Sequence, residues 1–197
     1  MSSSLVVDLF AEDRAHEEWL RPLLSRIARE NGKEVRLRIR SARGGHGRAI
    51  EELRTYQLAC QRRITSSIPD LLVVAVDANC KSYNEAQQEV ARALDPDFQQ
   101  LTIKATPDPH IERWYLADLE SFDRVVGITP RVPANKCERD YYKNVLANAI
   151  TAAGHPSTLG GIEFARELVD ALDYFRAGKT DSSLKHFLEE LHTRLVP

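Results

Sequence analysis

Three polar side chains stand directly after apolar, strand-like runs, and their types suit a divalent cation. Glu12 follows the run Leu5–Phe10, and Asp77 and Asn79 follow the apolar run over residues 69–76. In an open α/β sheet the carboxyl ends of parallel strands meet at one edge, so these side chains are expected to converge. Carboxylate and carboxamide oxygens are hard ligands of the kind that Mg²⁺ or Mn²⁺ prefers. The sequence therefore predicts a cation site at that edge.

Each of these residues also has an ordinary structural interpretation. Glu12 or Asp13 would cap a helix that begins at Arg14, and Asp-x-Asn is a common turn sequence. Both interpretations stay open from spacing alone.

The elements that must position these residues alternate between strand and helix through the first two thirds of the chain. Alternating β and α segments predict a mostly parallel sheet flanked by helices, because parallel strands need crossovers that pack on the sheet faces. The predicted strands cover residues 5–10, 35–40, 69–76 and 101–104, and the predicted helices between them cover 14–30, 48–63 and 84–94.

The last third of the sequence is helical in pattern. Asp108 and Pro109 predict the N-cap and first turn of a helix near His110. Apolar residues then recur at three- and four-residue spacing over 138–150, 162–175 and 184–195. We predict an α/β core over residues 1–127 and a helical C-terminal region over 128–197. That region would pack on the core as a lid, serve as the arm of a homodimer or dock a partner.

Composition limits the class of protein. The chain has 197 residues, a formal net charge of -2 and three cysteines that form no Cys-x-x-Cys pair, so neither a disulfide framework nor a structural zinc site is predicted. No apolar run approaches the roughly 20 residues that span a bilayer, and the N-terminus lacks the pattern of a signal peptide. A cytoplasmic protein without a membrane partner is expected.

Positive charge is concentrated in one stretch that could approach phosphates. It holds eight arginines, namely Arg36, Arg38, Arg40, Arg43, Arg48, Arg54, Arg62 and Arg63. The Gly44-Gly45-His46-Gly47 turn opens a helix, where free backbone N–H groups together with Arg43, His46 or Arg48 could meet an anion. Lys136 and Lys143 could neutralise charge that develops in a transition state. A solvated, mixed-charge surface is the alternative for all of these residues.

The order of these motifs resembles the TOPRIM domain of topoisomerases, primases and nucleases of the overcoming-lysogenization-defect type. Glu12 would be its glutamate, and Asp77 with Asn79 would be its aspartate pair. The segment from Pro107 to Asp118 is similar to a "P-x-x-E-x-W-x-x-A-D" pattern of small TOPRIM-like proteins, some of them linked to ABC-type or SMC-like ATPases in phage defence. The resemblance covers about residues 5–120.

The resemblance implies Mg²⁺-dependent cleavage of phosphodiester bonds in DNA or RNA, with an ABC- or SMC-like ATPase as partner. Glu12 and Asp77 would hold the ion, and Glu112 would be a further ligand or would position water. The family has aspartate where this chain has Asn79, and an amide binds a divalent cation more weakly than a carboxylate. A non-catalytic interaction module is therefore the main alternative, and a phosphotransferase with Asp77 as nucleophile is a third.

Overall fold

The protein is an α/β fold built on a four-stranded, all-parallel sheet in the order β2-β1-β3-β4, as the alternation of elements predicts. The computed structural model describes residues 4–41, 45–64 and 68–195. Its strands are β1 (Leu5–Ala11), β2 (Val35–Ser41), β3 (Leu71–Ala75) and β4 (Thr102–Ala105).

Helices cover both faces of the sheet. They are α1 (Arg14–Glu30), α2 (His46–Gln61), α3 (Tyr83–Ala93), α4 (Pro96–Gln99), α5 (Glu112–Tyr115), α6 (Leu119–Val126), α7 (Tyr141–Ala152), α8 (Ala165–Ala171), α9 (Tyr174–Thr180) and α10 (Ser182–Leu195), with a 3-10 turn at Ile162–Phe164.

The central strand β3 is buried on both faces, which explains its unbroken apolar sequence. Leu71, Val73 and Ala75 belong to the core under α1. Leu72 and Val74 belong to a second core, which the buried residues of α2 and α3 share. The sheet is therefore the middle layer between two cores.

The strand register brings the carboxyl ends of β1, β3 and β4 level with one another. Ala11 of β1 pairs with Ala75 of β3, which pairs with Ala105 of β4. Beyond the strands, the N–H of Glu12 donates to the carbonyl of Ala75 at 2.9 Å and that of Val76 donates to Ala105 at 3.1 Å. The residues that follow these strands consequently share one edge.

Helix α1 begins where the sequence predicts, and its cap settles which acidic residue has the structural role. The side chain of Asp13 accepts the backbone N–H of His16 at 3.1 Å, as an N-cap residue does. Asp13 is thus the cap, which leaves the side chain of Glu12 available for other contacts.

The prediction of a helix capped by Asp108 is wrong, because the segment before α5 pairs with the loop after β3 instead. The carbonyls of Pro107 and Pro109 accept the N–H groups of Ala78 and Asn79, each at 2.9 Å. The carboxylate of Asp108 pairs with Lys136 at 2.7 Å rather than capping a helix. The helix therefore starts two residues later than His110, at Glu112.

The predicted helix over 162–175 is also interrupted. It is divided among the 3-10 turn, α8 and the start of α9, with a break at Leu172 and Asp173, where the side chain of Asp173 caps α9. Within the described ranges, no helix has both the length and the apolar character needed to cross a membrane.

The helices after residue 127 pack on the α1 face of the sheet. Leu146 of α7, Val169 of α8 and Phe187 of α10 share one core with Trp19 and Trp114. A buried hydrogen bond of 2.9 Å from Trp114 Nε1 to Ser183 Oγ also joins the two parts. The C-terminal helices are thus part of the layer that covers the sheet.

Candidate metal centre

Two carboxylates and one imidazole converge at the carboxyl edge of the sheet. Glu12 follows β1, Asp77 lies two residues beyond β3, and His16 lies in the first turn of α1. One ligand atom from each lies within 4.8 Å of the other two. The predicted convergence of Glu12 and Asp77 is confirmed, and the structure adds His16 to them.

Glu12 is held by the backbone of the neighbouring strand. Its Oε2 accepts the N–H of Asp77 at 3.0 Å, and its side chain is only 12% exposed. Strand ends fix both partners, so the carboxylate is oriented by the sheet itself.

His16 is fully buried and lies between two acidic side chains. Its Nδ1 is 2.7 Å from Asp13 Oδ1, and its Nε2 is 3.1 Å from Asp77 Oδ1. The contact with Asp77 lacks the alignment of a hydrogen bond, so Nε2 is a buried nitrogen without a hydrogen-bond partner among the described residues. Burial works to lower the pKa of the imidazole, but the charges of Asp77 and Asp13 outweigh burial and hold that pKa well above its usual value.

Asp77 contacts two histidines and one backbone N–H group. Its Oδ1 accepts the N–H of Ile111 at 2.8 Å, and its Oδ2 lies 3.3 Å from Nδ1 of His110. Burial alone would raise the pKa of this carboxyl group, but His16 and His110 hold it below the usual value. Asp77 is therefore kept ionised although it is almost fully buried.

His110 and Glu112 follow β4 on either side of Ile111, whose N–H binds Asp77. His110 is partly exposed, and its contact with Asp77 raises the pKa of the imidazole. Burial, and then the charge of Asp77, raises the pKa of Glu112. The effect of Asp77 agrees with the predicted position of Glu112 near the strand ends. The role of Glu112 as a metal ligand stays a prediction.

His46, predicted to bind phosphate, lies between two carboxylates. Its Nδ1 is 3.6 Å from Glu12 Oε2, and its Nε2 is 3.0 Å from Glu89 Oε2. The contact with Glu12 raises the pKa of the imidazole against the opposing effect of burial, and Glu89 adds to the rise. Lys81 also pairs with Glu89, so positive charge surrounds that carboxylate.

The remaining predicted site residues are Asn79, Arg48, Lys143 and Arg43. Asn79 adopts a left-handed backbone with φ of 55°, and its side-chain N–H₂ donates to the carbonyl of Asp77 at 3.2 Å, in keeping with the turn interpretation. Arg48 is exposed and pairs with Glu52 at 2.8 Å. Lys143 is exposed on α7 and forms no ion pair with any residue that the structure describes. Arg43 lies outside the described residues.

Part of the predicted basic stretch has a structural role. Asp8 of β1 is completely buried, and it pairs with Arg38 and with Arg40 of β2. Tyr56 of α2 donates its hydroxyl to the same carboxylate. These two arginines neutralise a buried charge, and a buried charge is costly without such partners.

Comparisons of the chain with protein-family models, with curated proteins and with solved structures found no match. The resemblance to the TOPRIM family therefore stays a prediction that depends on the motifs alone.

Sequence reasoning missed His16, and a signal for it was present. Glu12 and His16 are four residues apart across the start of a helix, and the cap residue Asp13 stands between them. A carboxylate at a strand end followed by a histidine in the next helical turn brings both toward the same sheet edge. His110, which follows β4, is a residue of the same type at a neighbouring strand end.

The donor set fits a divalent cation. Two carboxylates and one imidazole are all ligands of transition metals and of Mn²⁺, and Asp13 lies behind His16 as the outer partner that metal-bound histidines usually have. Neutral His16 would bind through its buried Nε2. Binding of an ion would displace the proton that the acidic neighbours favour on His16.

Proposed function

We propose that this chain is a metal-dependent phosphodiesterase that cleaves DNA or RNA with Mg²⁺ or Mn²⁺. Glu12, His16 and Asp77 would hold the ion. The observation that carries the proposal is the convergence of these three residues, in which the Nε2 of buried His16 has no hydrogen-bond partner within the described part of the chain. The TOPRIM-like order of motifs supports nucleic acid as the substrate class.

The residues of the site would have separate roles in the proposed reaction. Asp77 and Glu12 supply negative charge from fixed strand ends, and the backbone N–H groups of Ile111 and Asp77 hold their oxygens in place. A divalent ion in such a site supplies Lewis-acid polarisation of a phosphoryl oxygen. The imidazole lowers the affinity for Mg²⁺ relative to an all-oxygen set, so Mn²⁺ is expected to activate the protein at lower concentration.

His110 is the residue best placed to move a proton. Asp77 holds its Nδ1 at 3.3 Å, and the ring is partly exposed at the edge of the site. An imidazole oriented by a carboxylate can protonate a leaving oxygen through its other ring nitrogen. Asp77 itself is a poor candidate for a nucleophile, because both of its oxygens are engaged by His16, His110 and Ile111.

Lysines at the rim would meet the phosphates of the substrate. Lys136 is 40% exposed beside Asp108, and Lys81 is 46% exposed beside Glu89. Contacts of this kind to the phosphate backbone raise affinity without reading sequence. An ATPase partner and a homodimer stay predictions.

The test is a cleavage assay on plasmid DNA and on single-stranded RNA, with Mn²⁺ or Mg²⁺ added to metal-free protein. Glu12→Gln and Asp77→Asn should each lower the cleavage rate by about 100-fold or more, since each removes a proposed ligand. Glu18→Gln is the matched control, because Glu18 also lies near the start of α1 but pairs with Arg14 at the surface.

Circular dichroism and thermal unfolding would verify that each variant is folded. Cleavage that persists in both folded ligand variants would reject the assignment of the site. Folded wild-type protein that cleaves neither substrate with either metal would reject the function and leave the interaction-module alternative.

A further inference from the structure

One edge of the sheet has no neighbouring strand among the described residues. The order β2-β1-β3-β4 places β2 (Val35–Ser41) at this edge, and all seven of its residues pair with β1 on the inner side. An exposed strand edge can pair with a further extended chain, so native proteins usually cover or shorten such edges. We call the outer side of this strand the β2 edge.

The opposite edge of the sheet shows such protection. Strand β4 has only four residues. Gln87 of α3 donates from Nε2 to the carbonyl of Lys104 at 3.4 Å, and Arg194 of α10 donates from Nη1 to the carbonyl of Gln100 at 2.6 Å. The longer β2 is therefore the edge to which another strand could be added.

The register of β2 on β1 determines which backbone groups lie on the β2 edge. Leu5 is the register partner of Val35, and its N–H donates to the carbonyl of Glu34 at 2.9 Å. In a parallel ladder, the N–H and C=O groups of every second residue point away from the partner strand. Those of Val35, Leu37 and Ile39 therefore point outward, in the positions that a further strand would use.

The two faces of β2 have different chemistry. Val35, Leu37 and Ile39 are partly buried, and the first two pack against the core under α1. The alternate side chains of β1 and β2 on the other face include one aspartate and three arginines, namely Asp8, Arg36, Arg38 and Arg40. Arg38 and Arg40 pair with Asp8, whereas Arg36 is exposed and forms no ion pair with any residue that the structure describes. Positive charge therefore exceeds negative charge on this face.

We propose that the β2 edge binds an extended segment of another protein, which adds a fifth strand to the sheet. The segment alternates apolar residues with aspartate or glutamate. Its apolar side chains extend the face that packs under α1, and its carboxylates lie beside the arginines of β2. Hydrogen bonds of the main chain supply affinity, and the alternating side chains supply specificity.

Two other occupants fit the β2 edge less well. A second copy of β2, paired antiparallel, would place the arginines of both copies on one face, and like charges on facing strands are destabilising. A nucleic acid would supply phosphates, which accept hydrogen bonds but cannot donate to the outward carbonyls of β2.

The experiment titrates the intact protein into a fluorescein-labelled peptide of alternating valine and glutamate, and it measures fluorescence anisotropy. Saturable binding is expected. A peptide with lysine in place of glutamate should bind at least about 10-fold more weakly, because it meets the arginines with like charge. A glutamate peptide that is N-methylated at every second residue, on the side that would face β2, should not bind, because it cannot form the ladder.

Two variants separate the β2 edge from a general effect of charge. Arg36→Glu should weaken binding of the glutamate peptide by about 10-fold, because it replaces an attraction with a repulsion. Arg166→Glu is the matched control, since Arg166 is 84% exposed on α8, which packs on the α1 face. That variant should bind the peptide as the wild type does.

Hydrogen exchange followed by NMR locates the bound peptide. In the protein alone, the amides of Leu37 and Ile39 should exchange fast, whereas those of Arg36 and Arg38 face β1 and should be protected. Saturating peptide should slow exchange at Leu37 and Ile39 by at least about 10-fold. Binding without this protection would overturn the proposal, as would the absence of saturable binding or equal binding of the lysine peptide.

The same measurements identify the other occupants. Protection of Leu37 and Ile39 that rises with protein concentration in the absence of peptide would identify a second copy and overturn the proposal. Single-stranded DNA that binds with the same dependence on Arg36, where the glutamate peptide does not bind, would also overturn it. Metal and cleavage have no part in this test, so its result is independent of the proposed function.

Discussion

A few single residues at the carboxyl edge of the sheet form the candidate metal site. Two of them, Glu12 and Asp77, are predicted by the sequence. Glu12 and Asp77 are predictable because acidic residues after apolar strands must lie at the carboxyl edge of a parallel sheet. His16 has a weaker signal, because the apolar face of α1 that contains Trp19 and Leu20 predicts that His16 is turned toward the sheet but does not predict which residues it meets there. The burial of Asp8 within β1 is likewise explained by its ion pairs with Arg38 and Arg40 on the neighbouring strand, which the sequence alone does not reveal.

Asp118 gives a prediction about acid stability. Its carboxylate caps α6 and binds Arg176 through Nε at 2.9 Å and Nη2 at 3.0 Å. Burial opposes ionisation, but the hydrogen bonds from Arg176 and Ser121 hold the pKa of Asp118 at about 2. Since this folded-state pKa is below that of the unfolded chain, the stabilisation is complete above about pH 4 and disappears as the pH falls toward 2.

Asp118→Asn should therefore lower the free energy of unfolding by about 2 kcal/mol at pH 7, and by much less near pH 2. Urea unfolding at several pH values measures the difference. Asp123→Asn, an exposed change on the same helix, should leave the free energy of unfolding nearly unchanged. An equal destabilisation by Asp118→Asn at pH 7 and pH 2 would contradict the account.

At the scale of elements, periodicity predicts the strands and the long helices well, but it predicts the short helices poorly. Helix α1 has the predicted bounds because a cap and an amphipathic face agree. The start of α5 and the break between α8 and α9 are set by tertiary contacts instead. Pairing of residues 107–109 with the loop after β3 delays α5, and these long-range contacts leave no local pattern.

The turn before the 3-10 helix provides an element-scale prediction. Gly161 has φ of 94°, and a Cβ there would lie 2.8 Å from Cγ of Leu146 and 2.9 Å from Cγ1 of Ile150 on α7. Gly161→Ala should lower the free energy of unfolding by about 3 kcal/mol, because left-handed strain and overpacking add together.

Gly160→Ala is the matched control for that change. Gly160 also has a positive φ, of 74°, but a Cβ there would meet no atom of the described residues within 4 Å. Only the backbone strain of about 1 kcal/mol is therefore expected. Chemical denaturation of both variants provides the comparison. Equal effects of the two changes would show that the close packing of Gly161 on α7 is unimportant.

At the scale of the whole molecule, one core extends across the sequence boundary predicted after residue 127. The helices beyond it bury Trp114 under Phe187, with ring centroids 5.4 Å apart. Arg26 of α1 donates to the carbonyls of Val169 and Leu172 at 2.5 and 2.9 Å. The spacing of apolar residues predicts that this region is helical, but the face of the sheet that it covers depends on contacts between residues far apart in sequence.

A chain ending at Gly127 should consequently fail to fold. It would expose the α1 face of the sheet core, separate Trp114 from Phe187, and remove the carbonyls that bind Arg26. These losses exceed the 5–15 kcal/mol stability of an ordinary domain. Thermal unfolding followed by circular dichroism should show no cooperative transition for this fragment. A sharp transition near that of the intact protein would show instead that residues 1–127 form an independent domain.

The most direct measurement of the central claim is calorimetric titration of Mn²⁺ into metal-free protein. One ion per chain should bind to the wild type and to Glu18→Gln with equal affinity. Folded Asp77→Asn should bind at least about 10-fold more weakly, because it loses a carboxylate ligand. The absence of saturable binding to the wild type, or equal affinity in Asp77→Asn, would contradict the assignment of Glu12, His16 and Asp77 as a metal site.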